Sequence, residues 1–588
     1  MVRFLATCSL LLLYPGALGA VAPSLTNPNT SSYNGQRYEA MVPDTIDLAE
    51  RARLALKALT SAPNRDKDYS LYFYVHFSRN PPVAFRHLPV YPKFWEALPL
   101  MRVITGDEHN LHIDSRWREL LMEMLQSEHP PVGVDGGRAL AALTIHYIKG
   151  KDPALQKIGD QAVLYWSKAL VDKGTYCYAP ARPGTQEMPK GWNATYCGWL
   201  VQGLAQYYAA TGFVPARQLA EKLVRYLKEY AEVYDSQGRF LAYDNVERKS
   251  LHFHHHVNGL LGILEYAMAV KDKDLIEFAR RGYEYARSTG SPLVGFFPEY
   301  IGSFPDERPY VDCEGCCVAD MIIWAIMLTK AGAGDYWDDA DHYIRNQFAE
   351  MQMTRSDWVY SMVEKLPPTP VAPNETADQV PERNLGAFAG WSLPNDFCSL
   401  EAPGIPAIQH CCTANCSRAL YYAWNNILHR VSKNLYVNLL MNRASSWADV
   451  NSHIPYAGRV DVLVKKDCRL FIRAPEWVKA DDNIECRIDG EKVRVQWEGR
   501  YLRLEAAKGG SLVTLTFPIS RRTVKTTIAG KPYTLVIKGN EVISIDPPGK
   551  NYPYYERGHY LEGKARFKKV VRFVPRENAY PQVTNPPS

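Results

Sequence analysis

From about Asp44 to Gln352, apolar residues recur every three or four positions, the spacing of one helix face. Leu48, Ala52, Leu56 and Leu59 share such a face behind Asp44 or Thr45 as a helix cap. Short polar turns punctuate the stretch. Gly150-Lys151-Asp152, Thr211-Gly212, Lys271-Asp272 and Gly334-Asp335 follow one another at intervals of 62, 60 and 62 residues, counted from 150, 212, 272 and 334. An interval of about 60 residues holds two helices and two connections, so the unit is a helical hairpin repeated around a closed α/α toroid. Leu366 to Pro373 is too rich in proline for a helix or strand and reads as an exposed loop. A further helix is expected from Arg418 to about Leu428, after which the period changes. Leu435–Leu439, Val460–Val464, Cys468–Arg473 and Leu512–Phe517 are short, β-branched-rich runs separated by Gly, Asp and Pro, the signature of a β-sandwich. The expected fold is therefore mainly α with C-terminal β, an (α/α)6-type toroid over 21–430 followed by a sandwich over 431–545. Residues 546–588, basic and rich in Pro and Tyr, carry no element signal.

Composition narrows the function classes. The 588 residues carry 68 Lys+Arg and 63 Asp+Glu, a net charge of +5 that makes no electrostatic case for a nucleic-acid partner. Aromatic residues reach 12%, with 37 Tyr and 13 Trp, which suits grooves that stack sugar rings as well as ordinary cores. Residues 1–20 read as a secretory leader: Arg3 is basic, Leu10 to Leu13 are apolar, and Ala17-Leu18-Gly19 is a small-x-small cleavage pattern. No later run has the roughly 18 apolar residues of a membrane span, so a secreted protein is expected. Sequons at Asn29, Asn193 and Asn374 agree with that compartment. A fourth, Asn415-Cys416-Ser417, lies within a cysteine cluster and is expected to stay unglycosylated.

Cysteine carries the most chemical information. Of the 12, Cys8 lies in the leader, and the remaining odd number leaves at least one thiol without a cysteine partner. Cys468 and Cys486, on neighbouring predicted strands, are candidates for a disulfide. Cys313-Glu314-Gly315-Cys316-Cys317 and His410-Cys411-Cys412-Thr413-Ala414-Asn415-Cys416 crowd six cysteines, a carboxylate and an imidazole into two short segments, each just ahead of an apolar helix. Either a metal site or a set of disulfides accounts for that crowding.

These segments resemble glycoside hydrolase family 127, the β-L-arabinofuranosidases and their relatives. Glu314-Gly315-Cys316 looks like the family's Glu-x-Cys motif, and Cys411-Cys412-Thr413-Ala414-Asn415-Cys416-Ser417-Arg418 matches Cys-Cys-x-x-Asn-x-x-Arg. Arg473-Ala474-Pro475-Glu476-Trp477 looks like the Arg-x-Pro-x-Trp turn of its sandwich, and the resemblance runs from about residue 195 to 520. It implies an (α/α)6 barrel with β-sandwich modules and a Zn2+ site formed by Glu314, Cys316, Cys411 and Cys412. It further implies that Cys411 is the nucleophile of a retaining glycosidase and that a glutamate some fifteen residues before Glu314 is the acid. Glu299 is the best match and Glu307 its rival. His255 or His256, in a tract at a helix start, is similar in place to the family's motifs that bind sugar hydroxyls, and a histidine-rich tract can also bind a metal directly. Trp199 stands where the family tends to carry a histidine, which implies a different sugar specificity.

The resulting expectation is a secreted, zinc-dependent retaining glycoside hydrolase acting on a glycan or glycoconjugate, with a carbohydrate as partner and neither nucleic acid nor a membrane span involved. Two other readings use the same residues: a zinc-dependent lyase or isomerase with Glu299 as base, and a non-catalytic glycan-binding protein with structural zinc.

Overall fold

The computed structural model describes residues 33–182, 184–241, 251–302, 312–398, 406–480 and 482–576. The leader, Asn29 and Glu307 lie outside the described residues. Twelve helices build the toroid: α1 (Leu48–Ser61), α2 (Pro92–Thr105), α3 (His112–Leu125), α4 (Gly133–Gly150), α5 (Pro153–Ala169), α6 (Cys197–Thr211), α7 (Val214–Glu229), α8 (Phe253–Val270), α9 (Lys273–Ser288), α10 (Gly315–Lys330), α11 (Trp337–Tyr343) and α12 (His410–Ile427). The four predicted turns fall where α4, α6, α8 and α10 hand over to their partners.

Helices α2, α4, α6, α8, α10 and α12 pack in that cyclic order, with α12 returning to α2, so they form a closed inner ring. The other six lie outside it. Sequence composition follows the position. Inner α10 buries every residue from Gly315 to Leu328, whereas outer α9 buries only Phe278, Ala279, Gly282, Tyr283 and Ala286, one stripe of an amphipathic helix. Close approach within the ring depends on glycine: a Cβ on Gly137 would stand 2.1 Å from the Trp199 carbonyl oxygen, and one on Gly198 2.7 Å from that of Asn258. Helix α1 is the outer helix that spans α12 and α2, so the start of the chain closes the ring. Its cap is Asp47, whose side chain accepts from the Ala49 amide, in place of Asp44 or Thr45.

The C-terminal part is β-rich, as expected. A five-stranded sheet contains Asn434–Val437 and Cys468–Arg473; a six-stranded sheet contains Arg459–Val464, Leu512–Thr516 and Glu485–Ile488. A three-stranded meander follows over Arg521–Ile528, Lys531–Lys538 and Glu541–Asp546. Phe567–Pro575, in the stretch without an element signal, forms a nine-residue antiparallel ladder with Gly35–Pro43. Two sequence expectations need correction. Cys468 and Cys486 sit in different sheets, and every described cysteine is a free thiol, because the two predicted neighbours are separated by the alternation of strands between layers. The last toroid helix starts at His410 instead of Arg418, so Cys411 and Cys412 lie in its first turn.

Candidate active site

All six inner helices bring their N-termini to one mouth of the ring, and the second or third residue of each is a candidate for chemistry. These are Lys93 on α2, Asp135 on α4, Trp199 on α6, His254 on α8, Cys316 on α10 and Cys411 on α12. Six positive helix ends converging on one place favour anionic side chains there. One turn deeper on each helix, three or four residues on, Glu96, Arg138, Gln202, Asn258, Asp320 and Asn415 close a hydrogen-bonded belt. Arg138 donates to Glu96 and to Gln202, both at 2.8 Å; Gln202 donates to Asn258 at 3.0 Å. Asn258 and Asn415 donate to the two oxygens of Asp320 at 3.1 and 2.7 Å. Arg418 completes the circuit, donating to Asn415 at 3.0 Å and pairing with Glu96 at 3.5 Å.

Short β-pairs anchor the segments that lead into three of these helices. Ile408–Gln409 pairs with Val75 and Tyr74, Glu314 with Trp391, and His252 with Tyr300. The first sets the start of α12, the second places Trp391 beside Glu314, and the third brings the neighbouring Glu299 to the mouth. Phe73, Tyr74, Leu88 and Tyr91 pack against the thiols of Cys316, Cys411 and Cys412 and shield them.

Glu314, Cys316, Cys411 and Cys412 place four ligand atoms within 4.8 Å of one another, all buried. The Cys316 sulfur stands 3.2 Å from that of Cys411 and 3.6 Å from that of Cys412, and Cys412 lies 3.7 Å from Glu314 Oε1. Two sulfurs held about 2.3 Å from one tetrahedral zinc are about 3.8 Å apart, so the donor set fits the ion in chemistry and in size. The other clustered cysteines turn elsewhere: Cys313 and Cys416 donate to the carbonyls of Glu314 and Gly315, and Cys317 to Glu314 Oε2.

Charge within the cluster is uneven. Hydrogen bonds from the Cys316 and Cys412 thiols, then the Lys93 ammonium and His254, hold Cys411 well below the ordinary thiol range against burial. Burial pushes the thiols of Cys316 and Cys412 well above it. Burial raises Glu314 to about 7, with His254 and Lys93 opposing. Burial alone would lower His254, yet its partner Asp320, 2.5 Å from Nδ1, lifts it to about 9.

Each expected residue has a definite place. Glu299 accepts from the Trp391 indole at 2.7 Å, stands 3.6 Å from His252 Nε2, and forms with His252 and Glu314 a second group of ligand-type atoms within 4.8 Å. His255 stacks on His252 and Trp192 at 4.1 and 5.4 Å in the same aromatic wall. Trp199, 1% exposed, packs against Lys93, His254 and His255. His256 points to the other side of α8, where it stacks on Phe240 and its Nδ1 meets the His252 carbonyl. The buried amide of Asn415 is engaged by Asp320 and Arg418, whereas Asn193 and Asn374 are exposed. Sequence reasoning missed Lys93, His252, His254 and Trp391. The mostly apolar segment Pro92–Thr105 also carries Glu96 and Arg102, so nothing in the sequence set Lys93 apart.

Three solved structures share this fold at low identity. A GH127 beta-L-arabinofuranosidase from Geobacillus stearothermophilus matches with a TM-score of 0.52 and 13% identity, over 85% of this chain and 80% of its own. A structure described as a glycoside hydrolase matches at 0.57 and 12%, over 87% and 84%. A GH127 beta-arabinofuranosidase matches at 0.53 and 14%, over 91% of both chains. No family model and no curated protein matches the chain. Among the described residues no helix is long and apolar enough to cross a membrane.

Proposed function

We propose that this protein is a secreted, zinc-dependent retaining glycoside hydrolase that removes a sugar, in the furanose class, from a glycan or glycoconjugate. The observation that carries the reading is the convergence of Cys411, the one cluster thiol held toward its thiolate, with Glu314, Cys316 and Cys412 at the mouth where Glu299 also stands. The shared fold of the two arabinofuranosidases and the glycoside hydrolase supports it.

Zinc bound by Glu314, Cys316, Cys411 and Cys412 would hold the thiolates deprotonated in neutral solution. Cys411 attacks the anomeric carbon, forming a carbon–sulfur bond as the carbon–oxygen bond to the leaving group breaks. Glu299 gives its proton to the departing oxygen. Water then attacks the same carbon, passing a proton to the Glu299 carboxylate, and the carbon–sulfur bond breaks with net retention. Trp391 and His252 hold the Glu299 carboxyl in position, and the partly exposed His255 and Trp192 offer surfaces for a sugar ring.

The test is turnover of a panel of aryl furanosides and pyranosides by the purified protein, with and without a chelator, alongside metal analysis. Retained configuration, a glycosyl adduct on Cys411 and loss of activity on chelation are expected. Glu299→Gln is expected to lose far more activity toward a poor leaving group than toward one that departs without a proton. Metal-dependent turnover with no glycosyl adduct would replace the reading with elimination or isomerisation; binding without turnover would replace it with a glycan-binding role.

A further inference from the structure

The Lys93 ammonium lies 3.3 Å from the Cys411 sulfur, and the residue is 7% exposed at the second position of α2. Its other close neighbour is the face of Trp199, 5.3 Å from the ammonium to the ring centroid. Among the described residues no carboxylate comes within ion-pair distance of it. A lysine that only stabilised the fold would be expected to meet a carboxylate or reach water. This one is directed at a sulfur atom and steadied by an indole.

We propose that Lys93 is a catalytic residue whose fixed positive charge drives the departure of Cys411 from the covalent glycosyl intermediate. This inference rests on the glycosidase reading and adds a role that reading leaves open. Sulfur is formally neutral in the carbon–sulfur intermediate and regains an electron pair when water displaces it. An ammonium at 3.3 Å stabilises that returning charge, and Lys93 keeps its own proton throughout. The same cation stabilises the resting thiolate, so it restrains the attack that forms the intermediate. Lys93 thus favours the second step at the expense of the first.

The experiment compares wild type, Lys93→Met, Lys93→Gln and Lys93→Arg on a 4-nitrophenyl glycoside that the wild type turns over. Zinc content and thermal unfolding are measured on each variant. Steady-state rates are read beside intact mass of acid-quenched mixtures, with the adduct mapped by peptide. Both neutral variants are expected to show kcat and KM falling together, a burst of nitrophenol, and adduct occupancy on Cys411 raised at least about tenfold over wild type. Lys93→Arg, which keeps the charge, is expected to restore low occupancy. Folded neutral variants in which kcat/KM falls with KM unchanged and no adduct accumulates would overturn the inference alone. So would a Lys93→Arg protein that behaves like Lys93→Met. If both neutral variants fail to fold, Lys93→Arg decides: adduct occupancy as low as wild type supports the inference, and adduct accumulating on Cys411 overturns it. A wild type that turns over no glycoside in the panel overturns the glycosidase reading and this inference with it.

Discussion

The mouth of the inner ring and the belt one turn below it both hold charge away from bulk water, but they balance it differently. In the belt, Glu96 sits between Arg138 and Arg418, and Asp320 accepts from Asn258 and Asn415, so each carboxylate meets fixed donors from neighbouring helices. In the mouth, three thiols and the Glu314 carboxylate crowd together, while His252, His255 and Trp199 each keep a buried ring nitrogen without a hydrogen-bond partner among the described residues. Carboxylates bonded from several helices fix the belt's geometry, although Arg138 Nε and Arg418 Nε are also buried without a hydrogen-bond partner among the described residues. The two layers are joined at Asp320, which bonds both the belt asparagines and His254. The belt therefore acts as the rigid support of a mouth whose own groups are left free to do chemistry.

Cys412→Ser tests the mouth most severely. Removing one thiolate while leaving Cys411 and Lys93 in place is expected to strip the protein of zinc and lower activity by at least about a thousandfold, with the helical content unchanged. Metal analysis, circular dichroism and turnover check the three parts. A variant that keeps one zinc per chain and near-normal rates would remove Cys412 from the ligand set.

Arg138→Met tests the belt in the opposite sense. It leaves the buried Glu96 with only the longer contact to Arg418, and breaking a buried pair from one side costs about 3–5 kcal/mol. The expected outcome is a clear fall in the denaturant midpoint with zinc stoichiometry kept in the folded fraction. A midpoint equal to wild type would mean that the belt carries little of the stability assigned to it.

Part of this layering was legible in the sequence. The 60-residue spacing of the turns marks the passage from inner to outer helices at four places, because a Gly or Asp at the end of an apolar helix is a local signal. The crowding of Cys313, Cys316, Cys317, Cys411, Cys412 and Cys416 was equally visible, since cysteine is rare enough for it to matter, but it left metal and disulfides open, and the choice of Glu314, Cys316, Cys411 and Cys412 came from the family resemblance. What escaped was set by distance along the chain. The register of α12 depends on Tyr74 and Val75 pairing with Gln409 and Ile408, and no pattern around residue 410 records a partner more than 300 residues away. The same is true of Gly35–Pro43 meeting Phe567–Pro575, and of Lys93 and Trp391 reaching the site from separate strands and helices. In the histidine tract, the family resemblance pointed to His255 and His256, but the helix starts at Phe253 and turns His254 toward Asp320 while His256 faces Phe240.

The smallest expected effect sharpens the contrast one layer further in, at Glu265 on α8. Its Oε2 accepts from Gln206 at 2.7 Å, while Oε1 is buried without a partner among the described residues. Burial pushes this carboxyl up from 4.5 to about 7, although Arg418, Arg138 and Gln206 oppose the shift and Glu96 adds to it. A carboxyl raised in the folded state holds its proton more tightly there than in the unfolded chain, so this group favours folding fully below pH 4.5. That contribution is lost as pH rises from 4.5 through about 7. Glu265→Gln keeps the shape and the bond to Gln206 but has no proton to lose. Its unfolding free energy from denaturant titration is therefore expected to match wild type near pH 4.5 and to exceed it above pH 7, by up to about 3 kcal/mol. Parallel pH profiles for the two proteins would show that the two arginines keep Glu265 ionised in the fold, making it a member of the paired belt and not an exception beneath it.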